Sequence, residues 1–88
     1  MLTAAPNPFQ TSARLDVRLT GAEAARVTIH DAQGRLVRAL AEALPAPGRH
    51  TLLWDGRDDR GRVVAGGSYF VRVKAGPARW TTRLVRVR

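Results

Sequence analysis

The run Leu52-Leu53-Trp54-Asp55-Gly56-Arg57-Asp58-Asp59-Arg60-Gly61-Arg62-Val63-Val64-Ala65-Gly66-Gly67-Ser68-Tyr69-Phe70-Val71-Arg72-Val73 decides the fold class. It reads as strand, tight polar turn, short strand, glycine break, strand. A large aromatic, Trp54, ends the first strand. Asp55-Gly56 and Asp58-Asp59-Arg60-Gly61 are two turn signals in close succession. An Asp side chain accepts backbone amides just downstream, and Gly tolerates positive φ. Gly66-Gly67 interrupts the chain again. Tyr69, Val71 and Val73 then alternate with Phe70, Arg72 and Lys74, the period-2 pattern of a half-buried strand. The turn residues predicted here are Asp55, Gly56, Asp59, Gly61 and Gly66.

Upstream, the same alternation recurs. Leu15, Val17 and Leu19 alternate with Arg14, Asp16 and Arg18, which predicts a strand with its apolar side inward. Residues 25–31 form the next strand, with Val27 and Ile29 inward. Ala32-Gln33-Gly34 closes a hairpin onto a strand beginning at Arg35-Leu36-Val37, with Gly34 at the positive-φ position. Residues 39–44 (Ala-Leu-Ala-Glu-Ala-Leu) are the one helix-friendly patch, too short to stand alone and stopped by Pro45 and Pro47. They are expected to form a loop with room for one helical turn. Residues 49–54 make a strand in which Leu52 and Trp54 share a face with His50. Downstream, Ala75-Gly76-Pro77-Ala78 turns the chain into a last strand, residues 79–88. There Val85 and Val87 are expected on one side, Arg86 and Arg88 on the other. At the start, two prolines in Pro6-Asn7-Pro8 exclude a central strand and predict an extended opening segment over residues 1–8, pinned by Phe9.

About seven short strands with turns every 8–12 residues predict an all-β, Ig-like or fibronectin-like antiparallel β-sandwich. The expected core is Phe9, Leu15, Val17, Val27, Ile29, Leu36, Leu52, Trp54, Tyr69, Val71, Val73 and Val85. No internal repeat, linker or low-complexity stretch is recognised. Eighty-eight residues suffice for one domain, 1–88. Met1 reads as an expression start and the chain as a module excised from the C-terminus of a larger protein, ending at a genuine terminus. No signal peptide is expected, and no apolar run approaches the roughly 20 residues needed to span a bilayer. With no cysteine there is neither a disulfide framework nor a thiolate metal site.

The charge is basic: 15 Lys+Arg against 7 Asp+Glu, net +8, with Lys74 the one lysine. Such a chain attracts polyanions.

Several pieces, in order and spacing, are similar to a known bacterial module. Pro6-Asn7-Pro8-Phe9 resembles its opening. Val27-Thr28-Ile29-His30-Asp31 with Gly34-Arg35-Leu36-Val37 resembles its V-x-I-Y-D-x-x-G-R-x-V hairpin. Gly48-Arg49-His50, Trp54-Asp55-Gly56, Asp59-Arg60-Gly61 and Ala65-Gly66-Gly67-Ser68-Tyr69-Phe70 resemble later motifs of the same module. The set resembles the Ig-like domain of the flagellar hook-capping protein and the related type IX (Por) secretion sorting domain, over residues 5–88. The resemblance implies a C-terminal β-sandwich on an exported protein, secreted or at the cell surface, working in sorting, anchoring or assembly through protein partners such as secretion machinery. This sequence departs from the pattern at His30, where Tyr is usual, and at Gly67-Ser68. Its Arg-rich tail leaves the branch open.

Enzymatic readings are weak. His30, His50, Ser12 and Ser68 could be nominated for a triad, but no nucleophile elbow surrounds either serine. No catalytic, cofactor or metal residue is therefore assigned. Asp55, Asp58 and Asp59 echo a calcium loop but lack its alternating ligands and terminal Glu, and Arg57, Arg60 and Arg62 would oppose a cation. Turn capping is the expected role. The candidate recognition residues are Arg83, Arg86, Arg88 and Trp80 on the final strand. A second reading is a ligand-binding module for acidic polysaccharide or nucleic acid. It would use a basic sheet face bearing Arg72, Lys74, Arg83, Arg86 and Arg88 with Phe70 and Trp80 interleaved. No RNA-binding signature accompanies it, which argues against nucleic acid.

Overall fold

A computed structural model of the chain describes residues 1–87. The alternating segments form seven strands: β1 (Leu2–Ala5), β2 (Ala13–Leu19), β3 (Ala25–Asp31), β4 (Leu36–Leu44), β5 (Gly48–Trp54), β6 (Gly67–Ala75) and β7 (Ala78–Arg86). They pair antiparallel in two sheets, a three-stranded one in the order β1-β2-β5 and a four-stranded one in the order β4-β3-β6-β7. The result is an Ig-like β-sandwich.

Odd-numbered side chains of β2, β3 and β6 face inward. They place Leu15, Val17, Val27, Ile29, Tyr69, Val71 and Val73 in the core. Trp54, fully buried, sits at its centre. Its ring meets Phe9 at 5.3 Å and 56°, and Tyr69 at 5.3 Å and 65°. Such tilted pairs contribute about 0.5–1.5 kcal/mol each beyond their buried area. The indole Nε1 donates to the Arg57 carbonyl at 3.0 Å. The Tyr69 hydroxyl donates to the Ala65 carbonyl at 2.6 Å, four residues upstream. This arrangement, near the start of a strand, is the tyrosine corner of Ig-type sandwiches. Both polar tips are thus satisfied.

Four expectations are corrected. Residues 39–44 are neither loop nor helical turn; they continue β4 to Leu44. Register shifts between β3 and β4 move its core-facing positions to Val37, Leu40, Ala41 and Leu44. Residues 62–65 are not a strand: Arg57 and Val63 form one isolated bridge, and Val64 N donates to Gly56 O. The seventh strand is instead β1, from the opening segment, which pairs with β2. Of the predicted core, Leu36 is 49% exposed, because its partner His30 lies on the outer face of the sheet. Leu52 is half-buried against the core. On β7 the core residue is Leu84, paired with Tyr69, while Val85 points the other way and is half-buried.

The free edges of the four-stranded sheet are both occupied by an Asx residue. At β7, Asn7 donates from Nδ2 to the Arg83 carbonyl and accepts from the Val85 amide at Oδ1. Phe9 continues the pairing, donating to Val85 O and accepting from Val87 N. At β4, the Asp59 amide donates to Val37 O, and its Oδ1 accepts from the Ala39 amide. Each side chain imitates a neighbouring strand where an open edge would invite self-association.

Candidate interaction surface

Two turns share one signature, Asp31-Ala32-Gln33-Gly34-Arg35 and Asp58-Asp59-Arg60-Gly61-Arg62. The structure shows them to be one device used twice. In each, Asp Oδ1 accepts the amides two and four residues on, and Oδ2 accepts Nε of the Arg. The Gly amide donates to the Asp carbonyl, and the Asp amide to the Arg carbonyl. Gly34 and Gly61 stand at φ +85 and +79, left-handed backbone that a side chain disfavours. The turns flank one cleft of about 420 Å³, lined by Leu36, Val37, Val64 and Tyr69 among others. This repeat escaped the sequence reading, although D-x-x-G-R occurring twice is its signal.

These carboxylates are occupied by donors of their own turns. Partial desolvation pulls the Asp31 carboxyl upward, but the Arg35 amide and guanidinium and the Gln33 amide outweigh it, holding it below the ordinary range. The Arg62 amide does the same for Asp58, against desolvation and with help from Arg60 and the Arg62 guanidinium. Asp55 Oδ1 accepts from the Arg57 amide and from Arg38 Nη1. Among the described residues, no cluster of three or more His, Cys, Asp or Glu stands in metal-binding geometry. Of the remaining turn candidates, Gly56 is buried at φ +72, and Gly66 lies in the bend before β6.

The histidines are engaged elsewhere. His30 Nδ1 faces the Gly34 carbonyl at 3.3 Å; a carbonyl only accepts, so this nitrogen donates. Nε2 then accepts the Thr28 hydroxyl at 2.9 Å. His50 Nε2 donates to Pro45 O at 2.7 Å. The Ser68 hydroxyl receives Nε and Nη2 of Arg83. The structure does not assemble the nominated triad from these groups.

The final-strand candidates scatter. Arg83 faces outward and is exposed, tied to Ser68. Arg86 turns inward: Nη1 donates to Val64 O, and Nε is buried without a partner in the described residues. Trp80 is half-buried and packs on the core. Arg88 lies outside the described residues. The imagined face of interleaved Arg and aromatic side chains is therefore not one face. Phe70, Arg72, Lys74 and Arg83 share the outer side of the four-stranded sheet; Trp80 and Arg86 belong to the inner side.

That outer side is strongly basic. Register pairs Arg26 with Lys74 and Lys74 with Arg79, so three cations stand abreast on β3, β6 and β7. The next row is Thr28, Arg72 and Thr81, and the next His30, Phe70 and Arg83. Among the described residues one carboxylate, Glu42, meets this row, 3.2 Å from Arg26 Nε. A groove of about 290 Å³ opens here, lined by Arg26, Thr28, His30, Arg72, Lys74 and Arg79 with parts of Leu36, Val73 and Trp80.

Comparison with known proteins agrees with this architecture. The basal-body rod modification protein FlgD of Salmonella typhimurium is 39% identical over 54 residues, and that of Salmonella typhi likewise. Each alignment covers 61% of this chain and 23% of the relative, so the chain matches about a quarter of their length. Among solved structures, a chain of PorZ, a surface component of the type-IX secretion system of Porphyromonas gingivalis, superposes with TM-score 0.72 at 22% identity. That match covers 99% of this chain and 11% of PorZ, and it shows a shared fold. The sequence model of the FlgD Ig-like domain matches residues 5–78, and the chain belongs to that family.

Proposed function

We propose that this chain is a non-catalytic module that sorts, anchors or assembles an exported bacterial protein, acting at the cell surface or outside the cell through contacts with other proteins. Membership of the FlgD Ig-like family carries this reading. The bonding of His30, His50 and Ser68 supports it: these three groups are each committed to a structural partner. Recognition falls to side chains on a rigid sandwich; of the final-strand candidates Arg83, Arg86 and Trp80, Arg83 points outward, and Arg79 stands outward on the same strand.

The test is transplantation. The chain replaces the Ig-like domain of Salmonella FlgD, and hook formation is scored by motility. In parallel it is appended to a secreted reporter in a bacterium with a type IX system, and surface reporter is measured. Function in either host, with a folded control sandwich failing in both, is the expected result. If both hosts treat the chain like the control, the reading fails.

A further inference from the structure

The row Arg26–Lys74–Arg79 is a local conflict. Like charges directly opposite on neighbouring strands destabilise a sheet. With strands about 4.8 Å apart, three cations are held close together. Most arginines of the turns are bonded within the chain: Arg35 to Asp31, Arg62 to Asp58, Arg38 to Asp55, Arg57 to Gly61. The side chains of Arg72, Lys74 and Arg79 have no ion-pair or hydrogen-bond partner among the described residues. Violations of local consistency of this kind concentrate at functional sites. Between them Thr28 is 8% exposed, its hydroxyl fixed on His30 Nε2, beside apolar parts of Leu36, Val73 and Trp80.

We infer that this groove is the docking site for an acidic protein segment, whose Asp or Glu carboxylates lie over Lys74 between Arg26, Arg72 and Arg79. Charge complementarity carries the choice of an anionic occupant, and guanidinium forks suit carboxylates. The aromatic positions argue for protein over nucleic acid or polysaccharide. Phe70 is half-buried, two residues from Arg72 along β6 and about 7 Å from it. Trp80 borders the groove but is half-buried and packs on the core. Neither ring is exposed as a full stacking platform for bases or sugars. The inference rests on the proposal that the partners are proteins and names the chemistry by which one is held.

The 88-residue chain is titrated calorimetrically with an oligo-glutamate peptide at low and physiological salt. Binding should weaken as salt rises. The double variant Arg72→Glu/Lys74→Glu should weaken it about tenfold or more, about 1.4 kcal/mol or more. The control Arg14→Glu/Arg18→Glu, on the outer side of the other sheet, should leave it nearly unchanged. Circular dichroism checks folding, and Lys74→Gln/Arg79→Gln serves as a milder second variant. Because Lys74→Glu would pair with Arg26 and Arg79, it should also raise the urea midpoint. Equal loss in Arg72→Glu/Lys74→Glu and in the control Arg14→Glu/Arg18→Glu would mean net charge alone and overturn the proposal, as would absence of peptide binding. Tighter binding of a heparin fragment or single-stranded DNA through the same residues would overturn it in favour of another polyanion. Failure here with successful transplantation would remove the groove and leave the assembly role standing; the reverse would remove the role and leave the groove.

Discussion

Trp54 joins the two sheets through Phe9 on one side and Tyr69 on the other. Truncating a buried aromatic costs about 3–5 kcal/mol, a large share of what a domain this size possesses. Trp54→Ala is therefore expected to be unfolded or nearly so by urea titration. Trp54→Phe should fold with a lowered midpoint, since it removes one of the two donors to the Arg57 carbonyl, leaving Arg38 Nη1. Gly56 stands at φ +72, and a Cβ there would lie 3.3 Å from Arg86 Nε. Gly56→Ala should cost at least the roughly 1–2 kcal/mol of left-handed backbone. Asp31 and Asp58 carry a pH dependence. Their folded carboxyls are held below the ordinary value by their turn donors. The stability they contribute is present above the unfolded pKa, about 3.9, and is lost as pH falls through the lower folded value. Urea midpoints measured from pH 6 downward should drop in that acid window, and drop less in Asp31→Asn/Asp58→Asn, whose amide oxygens still accept but do not titrate. An equal drop in both proteins would show that other groups govern acid unfolding.

At the scale of elements, the edges decide behaviour. Asn7→Ala removes an acceptor and a donor from β7, with an expected loss of about 2 kcal/mol for two hydrogen bonds. Faster amide exchange at Val85 and a concentration-dependent sedimentation coefficient should accompany it, since the bared strand can pair with another copy. Unchanged exchange at Val85 would show that Phe9 alone holds the edge. The strands with unbroken period-2 patterns, β2, β3 and β6, were legible from the sequence. In two others, β4 and β7, the strand was legible but its inward face was not. In β4 the inward positions Val37, Leu40, Ala41 and Leu44 follow the three-and-four spacing of a helix. The shifted register against β3 changes which side chains face the core, and a bulge thereby mimics a helical period. In β7 the adjacent Leu84 and Val85 allow two alternations. Choosing Val85 and Val87 satisfies more apolar residues. The structure chooses Leu84 because Arg86 on the same side has somewhere to go: past the bare Cα of Gly56 to the Val64 carbonyl.

For the whole molecule, the distribution of charge matters more than its sum. At the turns Arg35 and Arg62 are neutralised by Asp31 and Asp58, so the excess of +8 lies elsewhere, and among the described residues the outer side of the four-stranded sheet keeps cations without ion-pair partners. The candidate surface was only half legible. The basic residues were visible, but combining them with Trp80 and Arg86 failed, because facing depends on register and register depends on neighbours. The repeated D-x-x-G-R turn was readable in principle, being a local hydrogen-bonding pattern of five residues.

The sequence by itself determined the all-β class, the turn positions and most of the core, because alternation, Asx turns and positive-φ glycines are local consequences of side-chain shape and bonding. Only the tertiary structure decided which strand closed each edge, which face β7 turned inward and which cations were left abreast. Those outcomes depend on pairing between residues distant along the chain: Asn7 with Arg83 and Val85, Asp59 with Ala39, and Arg26 beside Lys74 beside Arg79.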